Sequence, residues 1–296
     1  MIIENPIICD EIGFIRDPMI LPYNGKYYMV ATSPQFWEGE NPGVRLWVSD
    51  NLSDWSFKKL IIDAAKIPKD KPYKDRFWAP ELFMYGGKFF CLFSAHNAER
   101  TDRDGLRCFA ATADSIDGEY KIIEKPIVDR DFRTIDAHLF EDNGKVFLFY
   151  STGGGIYMTE FDPKTCTASD DIRLVISKGE DGEWDATGVE GSFVVKRGGV
   201  YYHWYSSWTR GYEMGLAVTD DLKKPFKKLA TNPMVSVVGK NTKIKCCGHN
   251  SCFRLSDGSD MIAFHASGDG FDESLCISRF DYTDCKPKAP DGFIVI

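Results

Sequence analysis

One pattern dominates this chain. An apolar run, a turn carrying glycine and a second run rich in aromatic residues recur five times, at residues 15–33 (IRDPMILPYNGKYYMVATS), 78–95 (WAPELFMYGGKFFCLFSA), 136–151 (DAHLFEDNGKVFLFYS), 190–206 (EGSFVVKRGGVYYHWYS) and 249–266 (HNSCFRLSDGSDMIAFHA). The turns read as hairpins. Asn24-Gly25 is the strongest, because a two-residue loop of this kind needs positive φ, which Asn and Gly tolerate. The turn glycines Gly25, Gly87, Gly144, Gly199 and Gly258 stand 62, 57, 55 and 59 residues apart. A period of that length holds about four strands and points to propeller blades. A plain sandwich needs frequent turns but no long-range self-similarity. The expectation is therefore an all-β, five-bladed β-propeller, a single domain over residues 1–296 with blades starting near 17, 78, 136, 190 and 249.

Between the hairpins the remaining strands are legible. Residues 44–49 (VRLWVS) and 56–62 should complete blade one, and 107–113 (RCFAATA), 155–161 and 215–219 (GLAVT) should be third strands of later blades. Residues 63–67 read as one helical turn. Apolar content suggests that residues 2–8 pair with 293–296 and help close the ring.

Each repeat opens with a distinctive residue eight or nine positions before its glycine: Asp17, the Trp78-Ala79 pair, Asp136, Glu190 and His249. The first strand of a propeller blade lines the central channel, so equivalent positions in five blades converge on one axial pocket. Three are acids from three different blades, in phase with the repeat. Paired carboxylates can cleave a glycosidic bond, one protonating the leaving oxygen while the other activates water or attacks the sugar. The acid must stay protonated near neutrality, and a second carboxylate nearby raises its pKa by like-charge repulsion. Three acids divide into base, acid and tuner. Trp37, Phe77, Trp78 and Trp208 are candidates to stack on sugar faces, with Arg210 beside them for a hydroxyl. Each competes with a packing or solvated role.

Composition narrows the partners. The net charge is −8 and no basic block occurs, which disfavours nucleic acid. No stretch approaches 18 consecutive apolar residues, so no membrane-spanning helix is expected. Nine cysteines without a regular framework suggest reduced thiols. The N-terminus lacks a cationic start and a long apolar run, so the expected location is cytoplasmic. The oligomeric state is left open.

The ordered set Arg16-Asp17-Pro18, Trp78-Ala79-Pro80-Glu81, Ile135-Asp136, Glu190-Gly191 and Gly248-His249 resembles the glycoside hydrolase family 43 pattern, over roughly residues 13–270. The resemblance implies a five-bladed propeller and an inverting hydrolase acting on arabinofuranosidic or xylosidic bonds in plant-type oligosaccharides. By that likeness Asp17 is the general base, Glu190 the general acid and Asp136 the residue that raises and orients the acid. His249 resembles a histidine that, in several members, faces an axial calcium or sodium ion; no other cofactor is implied. Asp136 is followed by Ala-His rather than the frequent Pro, and Arg279 is the candidate for an arginine that often braces the base from the last blade. Two other readings remain open. One is a non-catalytic carbohydrate-binding propeller, against which the intact acid set argues. The other is a related propeller glycosidase or phosphorylase with different sugar specificity, for which Arg16, Arg76 and Arg210 look too scattered to bind phosphate.

Overall fold

The structure, a computed structural model, describes residues 4–130, 132–284 and 286–288. Its strands form five antiparallel sheets, each built in chain order. Blade one holds Arg16–Tyr23, Lys26–Thr32, Gly43–Ser49 and Ser56–Asp63. Blade two holds Asp75–Tyr85, Lys88–His96, Arg107–Ala113 and Lys121–Ile122. Blade three holds Ile135–Asp142, Lys145–Thr152 and Gly155–Asp162, with Thr167–Ala168 and Arg173–Ile176 both pairing on its third strand. Blade four holds Glu190–Arg197, Val200–Ser207, Glu213–Thr219 and Lys227–Lys228. Blade five holds Ile244–Arg254, Asp260–Gly268, Phe271–Asp281 and Lys286–Lys288. The architecture is the five-bladed propeller that the refrain predicts. Helical geometry among the described residues is confined to two short 3-10 turns, Ala64–Lys66 and Arg103–Gly105.

Turn chemistry sets the hairpin registers. Both residues of Asn24-Gly25, Gly86-Gly87, Asn143-Gly144 and Gly198-Gly199 have positive φ, the geometry whose twist matches the flanking strands. The apolar sides of neighbouring blades then meet. Phe90 and Leu92 of blade two pack with Leu139 and Leu148 of blade three, and Phe149 and Met158 of blade three with Tyr205 and Ala217 of blade four. Each large side chain so buried contributes about 1.5–3 kcal/mol.

The N-terminal segment does help to close the ring, against blade five. Ile7 bridges Leu275, and the Asn5 side chain exchanges hydrogen bonds with the Ile277 backbone at 2.7 and 2.9 Å. The N-terminal segment thus runs along the third strand of blade five. Residues 293–296, the expected partner, lie outside the described residues.

One local device recurs where each inner strand begins. The pairing register breaks between Arg16 and Met19, Trp78 and Glu81, Glu190 and Phe193, and Gly248 and Ser251; in blade three it slips opposite Phe149–Ser151. At these bulges Asp17, Ala79, Asp136, Gly191 and His249 take φ values of 53°, 43°, 57°, 67° and 48°. The left-handed conformation is costly for a residue with a Cβ, on the order of 1–3 kcal/mol, and it re-aims the side chain that carries it. A ring of hydrogen bonds between blades holds it. The residue seven positions after each turn glycine is Thr32, Ser94, Ser151, Ser206 or His265. Thr32 Oγ1 accepts from the Ala79 N–H at 2.7 Å, Ser94 Oγ from Asp136 at 3.1 Å, Ser206 Oγ from His249 at 2.9 Å, and His265 Nδ1 from Asp17 at 3.1 Å. Only the joint between blades three and four departs, where the Gly191 N–H donates to the Asp136 carboxylate at 3.0 Å.

Candidate active site

The bulges bring Asp17, Asp136, Glu190 and His249 to the floor of one cavity of about 1000 Å³. His249 Nδ1 lies 3.3 Å from Asp17 Oδ1 and 3.8 Å from Asp136 Oδ2. Four residues from four blades therefore share one centre, as the repeat phase predicts. Gly191 makes this possible, because a Cβ there would stand 3.2 Å from the His249 ring.

The surroundings of the three acids differ. Asp17 Oδ2 accepts the Thr32 hydroxyl at 2.6 Å. That hydroxyl oxygen already accepts from Ala79, so its proton is committed to Asp17. Burial pushes Asp17 up, but the His249 imidazole, the Arg16 guanidinium and the Thr32 hydrogen bond hold the carboxyl below its usual range. Glu190 feels His249 too, but that pull is outweighed. Burial, and then the Asp136 charge, lift it to about 7, although the Tyr212 hydroxyl donates to its Oε1 at 2.8 Å. Asp136 is itself raised, by burial and by Asp17, against the pull of His249 and the Gly191 hydrogen bond. His249 is raised because Asp17, Asp136 and Glu190 outweigh the cost of burying its charge. Environments that push neighbouring carboxyl groups apart in pKa suit one to accept a proton and another to donate it.

The walls come mainly from loops between second and third strands. The blade-one loop supplies Phe36 and Trp37, the blade-two loop Arg103, and the blade-four loop Trp208 and Tyr212. In blade three the corresponding connection is the tight turn Gly153-Gly154, and Phe132 and Arg133, just ahead of its first strand, line the cavity as well. Trp37 and Trp208 remain 47% and 43% exposed, large apolar surfaces facing the cavity. Trp78 lines it too, held by a hydrogen bond from its Nε1 to the Phe36 carbonyl at 2.7 Å and an edge contact with Trp37 at 5.3 Å.

Two expected binding residues lie elsewhere. Phe77 is 1% exposed and packs against Phe93 inside the core; the backbone that turns Trp78 toward the cavity turns its neighbour away. Arg210 is engaged by the fully buried Glu213 at 2.9 Å, and its neighbours Gly211 and Tyr212 face the cavity instead. Arg279 is not beside Asp17; it is exposed and lines a different cleft, with Arg197 and Arg254. The cation beside Asp17 is Arg16, from the same strand, which donates to Glu273 at 2.6 Å. Glu81 ties blades together: its Oε2 meets His138 Nδ1 at 2.8 Å, and His138 Nε2 accepts from the Val194 N–H at 3.0 Å.

Sequence reasoning missed Thr32, Tyr212, Phe36, Arg103, Phe132 and Arg133, all cavity-lining. Thr32 was detectable, since four of the five refrains carry Ser or Thr at that position. The others sit on loops with no repeat phase to betray them.

Among the described residues, no group of three or more His, Cys, Asp and Glu side chains is disposed to hold a metal ion. His249 Nδ1 is directed at carboxylates rather than at a coordination site. The side chains here do not fit an ion ligated through that nitrogen.

The model of "Glycosyl hydrolases family 43" matches residues 3–287. An α-L-arabinofuranosidase B from Pyricularia oryzae is 29% identical over 84% of this chain and 54% of its own length. An extracellular exo-α-(1→5)-L-arabinofuranosidase from Streptomyces chartreusis is 27% identical over 89% of this chain and 82% of its own. The crystal structure of a thermostable family-43 glycoside hydrolase superposes with a TM-score of 0.80 at 29% identity, covering 95% of this chain and 96% of that one. The chain spans about half the length of several curated relatives it matches. With a family model matched over residues 3–287 and the propeller shared at that similarity, the chain belongs to family 43 of the glycosyl hydrolases.

Proposed function

We propose that this protein is an inverting glycosidase that releases arabinofuranosyl or xylosyl residues from plant-type oligosaccharides. The observation that carries the reading is the split within one cavity: Asp17 held below the usual carboxylate range and Glu190 lifted to about 7, both beside Asp136 and His249. Asp17 is the general base. Ionised, and held on one oxygen by Thr32, it takes a proton from water attacking the anomeric carbon. Glu190 is the general acid and gives its proton to the departing glycosidic oxygen. Asp136 keeps Glu190 protonated through its charge and fixes the Gly191 backbone. The clustered acids also favour the positive charge that develops on the sugar ring. Trp37, Trp78 and Trp208 offer faces for sugar rings. Arabinofuranosidase names among the relatives support the sugar class. A non-catalytic binder would have no use for carboxyl groups tuned in opposite directions. Elemental analysis of the purified protein tests for a calcium or sodium ion in the channel.

The test is a panel of p-nitrophenyl glycosides with wild type, Asp17→Ala and Glu190→Ala. Arabinofuranoside or xyloside release is expected in wild type and not in either variant. The first-formed product, followed by NMR, is expected with inverted anomeric configuration. Wild-type turnover in either variant would remove its assigned role, and retained configuration would remove the mechanism.

A further inference from the structure

The hydrogen-bond ring between blades contains one substitution in kind. At three of its five joints a Thr or Ser hydroxyl receives the N–H of the next blade's bulge, whereas the joint serving Asp17 uses the imidazole of His265. A hydroxyl can accept and donate at once and adapts by rotation. An imidazole accepts at Nδ1 only if that nitrogen is unprotonated, so accepting from Asp17 commits His265 to the Nε2–H tautomer.

The other side of the ring matches this requirement. His265 Nε2 and Glu273 Oε2 face each other at 3.4 Å, and both are buried atoms with no formed hydrogen bond among the described residues, so each is the nearest group able to satisfy the other. Glu273 is anchored on its other oxygen by Arg16 Nη1 at 2.6 Å. His265 is completely buried, and burial holds its pKa well below the ordinary value, with Arg16 adding to the effect. A neutral ring with its donor toward a carboxylate and its acceptor toward a backbone N–H is thereby fixed in tautomer and orientation, as second-layer carboxylates fix histidines elsewhere. The His265 ring also packs on Tyr212 with centroids 5.3 Å apart, and Tyr212 holds Glu190.

We infer that Glu273 and His265 are positioning residues for the general base: Glu273 sets the His265 tautomer, and His265 holds the strained Asp17 backbone so that its carboxylate faces the cavity. Neither residue touches the reacting atoms. This rests on Asp17 being the base, and the experiment separates the two ideas.

His265→Asn places an amide oxygen where Nδ1 accepts, and His265→Leu fills similar space with no acceptor. Glu273→Gln keeps an oxygen for Arg16 but can turn an amide donor toward Nε2–H, which favours the wrong tautomer. His265→Leu is expected to lose about 100-fold in kcat, the scale of a small misplacement of a reacting group, with KM nearly unchanged. His265→Asn is expected to recover at least tenfold of that loss, and Glu273→Gln to fall between wild type and His265→Leu. Nitrogen-15 NMR of the wild-type protein should show His265 as the Nε2–H tautomer, a readout that needs no turnover and no variant. An Nδ1–H tautomer, wild-type kcat in His265→Leu, or equal losses in the Leu and Asn variants would each overturn the inference. Asp17→Ala is assayed in parallel. Full turnover there removes the base assignment itself, whereas its loss beside wild-type kinetics in His265→Leu removes only the positioning role.

Discussion

The hydroxyl of Tyr212 donates to Glu190 Oε1 at 2.8 Å, and the Tyr212 ring lies against Gly248, where an added Cβ would stand 2.3 Å from it. This bond opposes burial and the Asp136 charge, because it favours the ionised carboxylate. Tyr212→Phe keeps the ring and removes the bond. A hydrogen bond to a charged group is worth about 1.5–3 kcal/mol, and one pKa unit corresponds to about 1.4 kcal/mol. The alkaline limb of kcat/KM against pH is therefore expected to move up by about one unit. An alkaline limb that stays in place would show that Tyr212 does not tune Glu190.

Asp136→Asn acts in the opposite direction. Like-charge repulsion from Asp136 is the second cause, after burial, that holds Glu190 up near 7. The amide has almost the same shape and can still accept the Gly191 N–H. Without the charge Glu190 ionises at lower pH, so activity should decline from a lower pH while the acidic limb, set by Asp17, moves little. The check is the pH profile of kcat/KM on whichever chromogenic glycoside is cleaved. A variant with the wild-type profile would leave Asp136 no tuning role.

Residue order revealed the floor of this cavity because a propeller is periodic. Asp17, Asp136, Glu190 and His249 were identifiable since each opens a repeat, and the bulge at that position aims them inward. The walls follow no such rule. Phe77 and Trp78 are adjacent large aromatics, and only the bulge geometry sends one to the core and the other to the cavity. Arg210 looked free to bind a hydroxyl because its partner Glu213 is three residues away on a strand whose inward face could not be read alone. Tyr212 owes its place to contacts with Gly248 and His265, from another blade. The contact of residues 5–7 with the third strand of blade five was not legible for a similar reason: an apolar segment says that it is covered, not by which strand.

Glu190 also carries a consequence for stability. Its folded value of about 7 lies above the ordinary 4.5. Between those values the folded state binds the proton more tightly than the unfolded chain. The associated stabilisation is complete below the lower value and is lost as pH rises through the upper one. Glutamine is neutral throughout. Thermal denaturation of Glu190→Gln and wild type at pH 5 and pH 8 should show the variant gaining relative to wild type at the higher pH. A difference independent of pH would mean that Glu190 is not held protonated by its surroundings.

Trp37 tests the wall rather than the floor. Its ring is 47% exposed, packs its edge on Trp78, and lies under the guanidinium groups of Arg16 and Arg103 at 5.1 Å each. It touches none of the three carboxyl groups through any hydrogen bond, so removing it leaves the proton transfers intact. An aromatic face that stacks on sugar contributes equally to bound substrate and transition state, and losing uniform binding raises KM without lowering kcat. Trp37→Ala is therefore expected to raise KM by about tenfold, the equivalent of about 1.4 kcal/mol, with kcat within about twofold of wild type. A fall in kcat at unchanged KM would instead place Trp37 among the groups that act in the transition state, and unchanged kinetics would place the sugar on the Trp208 side of the cavity.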